Sequence, residues 1–203
     1  MNESSVRIIP LTLSILLCAG SAFASEIREF DLKTIERLGN ELTRVSQTPA
    51  RGATNPERKR ARETAIAALK GKLFDIHYDY VVLNDPDGSG FLVYALGRTT
   101  NPKDFVLAGH FRVTVSADGA RAERVDALSR TLAIQREGQG MPAGSDLVGM
   151  TMVQIVSSKP VETLIYTSNL AKMPIFVATV PRGRTYDIEK GKIRDTGKTV
   201  GKK

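Results

Sequence analysis

The chain has 203 residues, of which 41% are hydrophobic and 25% charged, and it carries a formal net charge of +7. That is an ordinary globular composition, long enough to bury a core in one or two domains, and it excludes collagen-like, coiled-coil and largely disordered chains. One cysteine and two histidines leave no material for a disulfide framework, a cysteine-rich zinc site or an iron–sulfur cluster.

Residues 1–24 read as a secretory signal peptide. Arg7 supplies a basic start, Ile8 to Ala19 form an apolar run broken by Pro10, Thr12 and Ser14, and Ala22-Phe23-Ala24 predicts cleavage before Ser25. The run is shorter than the roughly 20 apolar residues of a membrane helix. Leu17 stands where lipoprotein processing at Cys18 requires a small residue. Cleavage removes Cys18 together with Glu3 and Arg7, so the expected mature chain is thiol-free and keeps its charge of +7. A periplasmic or secreted protein is expected, with no transmembrane span after cleavage.

Along the mature chain, Asp31 is placed to cap a helix to about Ser46, with Leu32, Ile35, Leu38, Leu42 and Val45 as one apolar stripe. After a breaker-rich linker from Gln47 to Thr54, Asn55-Pro56 starts a second helix to about Lys70, with Ala65, Ile66, Leu69 and Leu73 inward. The period then changes to two. Strands are predicted over 76–83, 91–96, 105–116 and 121–128, with turns at Asn84–Gly90 and Asp118-Gly119. Both helices are expected on one face of this meander. Arg136 to Gly149 reads as a Gly-rich loop, either a flap or a boundary, that leaves 25–203 as a single domain. Strands at 150–156 and 174–180, a short helix over 160–172 and a hairpin around Lys190-Gly191 follow. The tail from Thr196 to Lys203 reads as polar and frayed. The fold class is α+β: two N-terminal helices packed on a mostly antiparallel sheet, with a further short helix and strands at the C-terminal end.

Several motifs point to chemistry. Asp85, Asp87 and Ser89 stand at positions one, three and five of a calcium-type loop, but the twelfth position is Leu96 where a bidentate Glu belongs. Asp75, His77 and Asp79 alternate along the first strand, and His110 on the third is the other imidazole. Carboxylate beside imidazole can orient a general base or bind a divalent ion. In a simple meander, however, the second strand separates the two histidines by roughly 10 Å. Gly88-Ser89-Gly90 lacks the flanking glycines of a nucleophile elbow. Gly197-Lys198-Thr199 and Gly138-x-Gly140 lack the strand and helix of nucleotide loops, so no cofactor is implied.

Charge distribution carries more information. Arg58, Lys59, Arg60 and Arg62 crowd the start of the second helix, where cations oppose the macrodipole. Arg182, Arg184, Lys190, Lys192, Arg194, Lys198, Lys202 and Lys203 crowd the last segment. In an exported protein such clusters attract anionic lipid, cell-wall polymer or an acidic partner. No aromatic-rich basic strand supports nucleic acid. Helices ahead of an antiparallel sheet, with the Val115-Ser116-Ala117-Asp118-Gly119 hairpin, superficially resemble the cystatin-like and PepSY-like exported modules over about a third of the chain, a likeness of fold that transfers no site residue.

The expected function is therefore a non-catalytic binding or interaction module for an anionic envelope component or another periplasmic protein. It would use an exposed sheet face and the 136–149 loop, with Arg58, Lys59, Arg60, Arg62, Arg182 and Arg184 as anion-binding residues. An envelope hydrolase using His77 or His110 with Asp75 or Asp79 is the alternative, and a structural envelope component is a third.

Overall fold

Two side-chain caps start the first helices. The Asp31 carboxylate accepts from the Thr34 N–H at 3.0 Å and opens α1 (Leu32–Gln47). The Asn55 amide oxygen accepts from the N–H groups of Glu57 and Arg58 at 2.8 and 3.1 Å and opens α2 (Pro56–Ala68). The computed structural model describes residues 26–48, 55–136, 147–180 and 183–200. The expected export signal, linker residues 49–54, loop residues 137–146, Arg182, Lys202 and Lys203 lie outside the described residues.

Ten strands and a third helix follow in the order β1 (His77–Asn84), β2 (Phe91–Arg98), β3 (Phe105–Ala108), β4 (Phe111–Val115), β5 (Ala122–Ala127), β6 (Ala133–Gln135), β7 (Met150–Gln154), α3 (Glu162–Ala171), β8 (Ile175–Thr179), β9 (Arg184–Glu189) and β10 (Lys192–Thr199). The antiparallel meander β1-β2-β4-β5 forms as expected. The predicted strand over 105–116 does not run through. Gly109 adopts a φ of +115°, a conformation that a side chain disfavours, and the chain turns there. The segment before it leaves the meander and pairs as β3 with β6, a strand absent from the sequence-based expectation.

The second sheet has the order β10-β9-β8-β7. Its β7 and β8 run parallel, which requires a crossover, and α3 supplies it. The expected placement of both N-terminal helices on one face is corrected. Leu38 and Leu42 of α1 cluster with Val81, Leu83, Leu92 and Tyr94, whereas Ala61 and Ala65 of α2 cluster with Val93, Ala95 and Val113. Period two sends those two strand sets to opposite faces, so α1 and α2 sandwich the meander. Residues 91–97 of β2 are buried throughout, as befits a strand covered on both sides.

Inner residues of the second sheet (Ile175, Val177, Tyr186 and Ile188) join the α1 cluster, and α3 lies in that same layer. The layers are thus α2, meander, α1 with α3, second sheet. Two helices can share the middle layer because Gly39 of α1 meets α3 closely: a Cβ there would lie 2.5 Å from the Ile165 Cβ and 2.6 Å from the Glu162 carbonyl.

A guanidinium lies in this interior. Arg112 of β4 is completely buried, and its cross-strand neighbours on one face are Tyr94 and Asp126. Its Nη1 donates to Glu162 Oε1 at 2.6 Å, and Nη2 and Nε donate to Asp126 Oδ2 at 2.7 and 3.3 Å. Nη2 also donates to the Arg28 carbonyl, and the guanidinium stands 4.7 Å from the Phe30 ring centroid. The Tyr94 hydroxyl donates to the same Glu162 oxygen at 2.8 Å. Its pKa is raised well above the ordinary value, first by burial and then by the Glu162 charge. For Arg112 burial works against the charge, but Glu162, Tyr94 and Asp126 outweigh it and raise its pKa.

Arg112→Met removes the cation between two buried carboxylates, leaving Glu162 only the Tyr94 hydroxyl and Asp126 only Arg124 and the Arg28 N–H, and is expected to cost about 3–5 kcal/mol in urea denaturation. Glu162→Gln, which still accepts from Arg112 and Tyr94, is expected to cost clearly less. Gly39→Ala overpacks the α1–α3 contact and is expected to cost about 1–3 kcal/mol, a loss read in the same assay.

Candidate functional site

The two imidazoles do not meet. His77 opens β1 and is exposed, while His110 is 1% exposed at the start of β4, with β2 lying between those strands. His110 Nδ1 accepts from the Gly97 N–H at 3.0 Å and Nε2 lies 3.1 Å from the Val106 carbonyl, so both ring nitrogens serve the backbone. Burial pushes its pKa down to about 4 against a partial offset from the Val106 carbonyl. Asp75 lies in a bend ahead of β1 rather than on the strand, and Asp79 forms an ion pair with Arg98. The structure thus separates His77 from His110, buries His110 against backbone groups, and engages Asp79 with Arg98.

Asp85 and Asp87 do come together, around a protein cation. Arg28 donates from Nη1 to Asp85 at 2.6 Å and from Nη2 to Asp87 at 2.9 Å. Burial alone would raise the Asp85 carboxyl, but hydrogen bonds from Arg28 and from the Asp87 N–H bring it below its ordinary value. A guanidinium therefore bridges the two loop carboxylates, and Ser89 forms no hydrogen bond to it. Among the described residues no group of three or more His, Cys, Asp or Glu side chains is arranged around a metal position.

The α2 bases are drawn into the fold. Arg58 donates to the Val82 carbonyl and to Asn84 Oδ1 and lies 5.8 Å from the Phe91 ring. Arg60 donates to the Asp118 carbonyl at 3.1 Å, and Arg62 lies 5.3 Å from the Tyr80 ring. Lys59 is exposed. These contacts tie α2 to β1 and to the β4–β5 hairpin, offsetting the unfavourable helix dipole with hydrogen bonds and cation–π contacts. Arg184, by contrast, lies on β9 beside Asp195 at 3.3 Å.

With the meander covered on both sides, the open sheet face belongs to the second sheet. A cross-strand row, Thr151–Phe176–Asp187–Arg194, runs over its outer surface from β7 to β10. Phe176 is 45% exposed, Val153 58% and Val200 63%. The charged end carries the Arg194–Asp187 pair and Lys198, which has no ion-pair partner among the described residues. A shallow groove of about 560 Å³ runs along this face, lined by Phe176, Ala178, Thr185, Arg194, Lys198 and Val200. Surface pairs of this kind contribute roughly 0–1 kcal/mol, so Asp187 holds Arg194 only weakly. The surface is thus amphiphilic, apolar beside β7 and β8 and basic along β10.

Arg184 and the C-terminal bases were legible as a charge cluster. Phe176 and Val153 read only as strand residues, because which strand face stays open depends on what covers the other. Compared with protein families, curated proteins and solved structures, the chain finds no match. Its resemblance to cystatin-like and PepSY-like modules stays one of element order.

His110 makes pH dependence testable. The unfolded chain takes up a proton near pH 6.5 that the folded chain refuses until about pH 4. Stability therefore falls as pH drops through that window and levels off below it. Between pH 7.5 and 4.5 the protein is expected to lose about 2–3 kcal/mol more unfolding free energy than His110→Gln.

Proposed function

We propose that this chain is an exported, non-catalytic binding module of the cell envelope, whose second sheet holds an anionic, amphiphilic envelope component against its outer face. The observation that carries the reading is the juxtaposition along one open groove of exposed Phe176 and Val200 with Arg194 and Lys198. Apolar side chains with adjacent cations match an anionic headgroup above an apolar body. The segment Arg184–Val200 contributes five bases against three acids, and the excess adds long-range attraction. The signal-like residues 1–24 support the export part of the reading, and the separation of His77 from His110 supports the non-catalytic part.

Each base near an anionic surface contributes about 1 kcal/mol. The full mature chain is expected to sediment with vesicles of phosphatidylglycerol and phosphatidylethanolamine but not with phosphatidylcholine vesicles, and to release as salt rises. Arg194→Glu with Lys198→Glu is expected to weaken binding at least tenfold, and Phe176→Ser to weaken it at any salt. Binding that ignores salt and both variants removes the reading.

A further inference from the structure

We propose that the edge of β7 left unpaired among the described residues docks an extended, uncharged polypeptide strand with apolar side chains at alternate positions. The site lies beyond the outer-face reading, because it uses the backbone of β7 rather than the basic surface of β10.

The hydrogen-bond pattern identifies the free groups. The Met150 N–H donates to the Pro174 carbonyl at 2.9 Å, and the Val180 N–H donates to the Gln154 carbonyl at 2.8 Å. In a parallel ladder each residue turns both backbone groups to one side, so Met150, Met152 and Gln154 serve β8. Thr151 and Val153 therefore turn N–H and C=O to the opposite edge, where among the described residues nothing pairs with them. Two residues of strand separate these groups by roughly 6.6 Å, the repeat of another main chain.

Edges of this kind are normally blunted by charge, a bulge or proline. β5 carries Glu123, Arg124 and Asp126. β10 carries Lys192, Arg194, Asp195 and Lys198 with a register shift near its end. β1 carries Asp79, paired with Arg98. β7 has none of these devices, and Leu147 to Ser158 contains no charged residue. Val153 and Ile155 are nevertheless 58% and 44% exposed.

The surroundings select the occupant. β7 forms one wall of a cleft of about 250 Å³, and Leu107, Ala108, Thr131 and Ala133 form the other. The charged side chain lining it, Arg130, is held by Glu26. A charged strand would lose hydration there without gaining a partner, whereas an apolar one covers Val153 and Ile155. The second wall also argues for a slender strand over a second copy of this chain, which would bring its own wall against the first. Strand addition draws affinity from main-chain hydrogen bonds and selectivity from alternate side chains.

The test adds a capped hexapeptide of alternating Thr and Val to the full mature chain, with amide hydrogen exchange and NMR titration as readouts. Saturable binding is expected to slow exchange of the Thr151 and Val153 amides at least tenfold. Val153→Pro removes an N–H that the fold does not use, at an edge position that tolerates proline, and is expected to weaken binding at least tenfold. Should that variant fail to fold, the hexapeptide N-methylated on alternate residues carries the same test and is expected not to bind. The proposal is overturned by absence of saturable binding, by protection that spares Thr151 and Val153, or by equal binding of the N-methylated peptide. Concentration-dependent dimerisation that protects the same amides without peptide overturns it in favour of a second copy.

Discussion

Burying the Arg112 guanidinium is the constraint on which the rest of the architecture depends. An unpaired charge in that interior would cost several kcal/mol, so every surrounding element must deliver an acceptor. β5 delivers Asp126, the first turn of α3 delivers Glu162, and the segment ahead of α1 delivers the Arg28 carbonyl and the Phe30 ring. These pieces are far apart in the chain, and none can withdraw without leaving buried donors or acceptors unpaired. The same segment is tied down again where the Arg28 side chain grips Asp85 and Asp87 in the β1–β2 turn. Hydrophobic layers supply most of the driving force, but they tolerate sliding. The Arg112 network fixes which residues face one another.

Layering then decides what is left for recognition. The meander is sealed by α2 on one side and by α1 with α3 on the other, so its polar strand face becomes interior rather than surface. Two basic clusters that look alike in sequence end at opposite sides of the stack in different surroundings. On α2, Arg58 and Arg60 reach carbonyls of β1 and of the β4–β5 turn and act as fasteners. On β10, Lys198 has no ion-pair partner among the described residues and lines the outer groove with exposed Val200. What each base can reach, rather than how many there are, separates bases that fasten the fold from bases left on the open face.

Features with local causes were legible in the sequence: the Asp31 and Asn55 caps, the Asp118-Gly119 turn, the apolar stripe of α1 and the alternating strands. The α+β class and the four-stranded meander followed from them. What escaped depends on partners distant in sequence. His110, Arg112 and Thr114 share a strand face whose polarity reads as solvated, yet α3 and the 26–30 segment cover it. β6 is three residues long and gains its identity from β3, far upstream. Ile66, read as inward, is 37% exposed, because α2 meets the sheet through Ala61 and Ala65 instead. Of the site residues, the bases were legible, whereas the open face with Phe176 was not.

The two recognition surfaces argued for this chain meet at one residue. Along β7 the side chain of Val153 points over the outer face while its N–H and C=O point along the sheet plane to the free edge. A strand added at the edge would extend the sheet by about 4.8 Å and widen the apolar half of the outer face without disturbing the basic half. An occupant of the outer face touches Val153 only through its methyl groups and leaves the backbone untouched. Geometry therefore does not force the two occupants to exclude each other. Because the added strand would contribute its own alternate side chains beside Val153, the apolar surface next to Phe176 grows when the edge is filled. On the proposals above, that growth would strengthen hold on an amphiphile, and by thermodynamic reciprocity the amphiphile would strengthen hold on the strand.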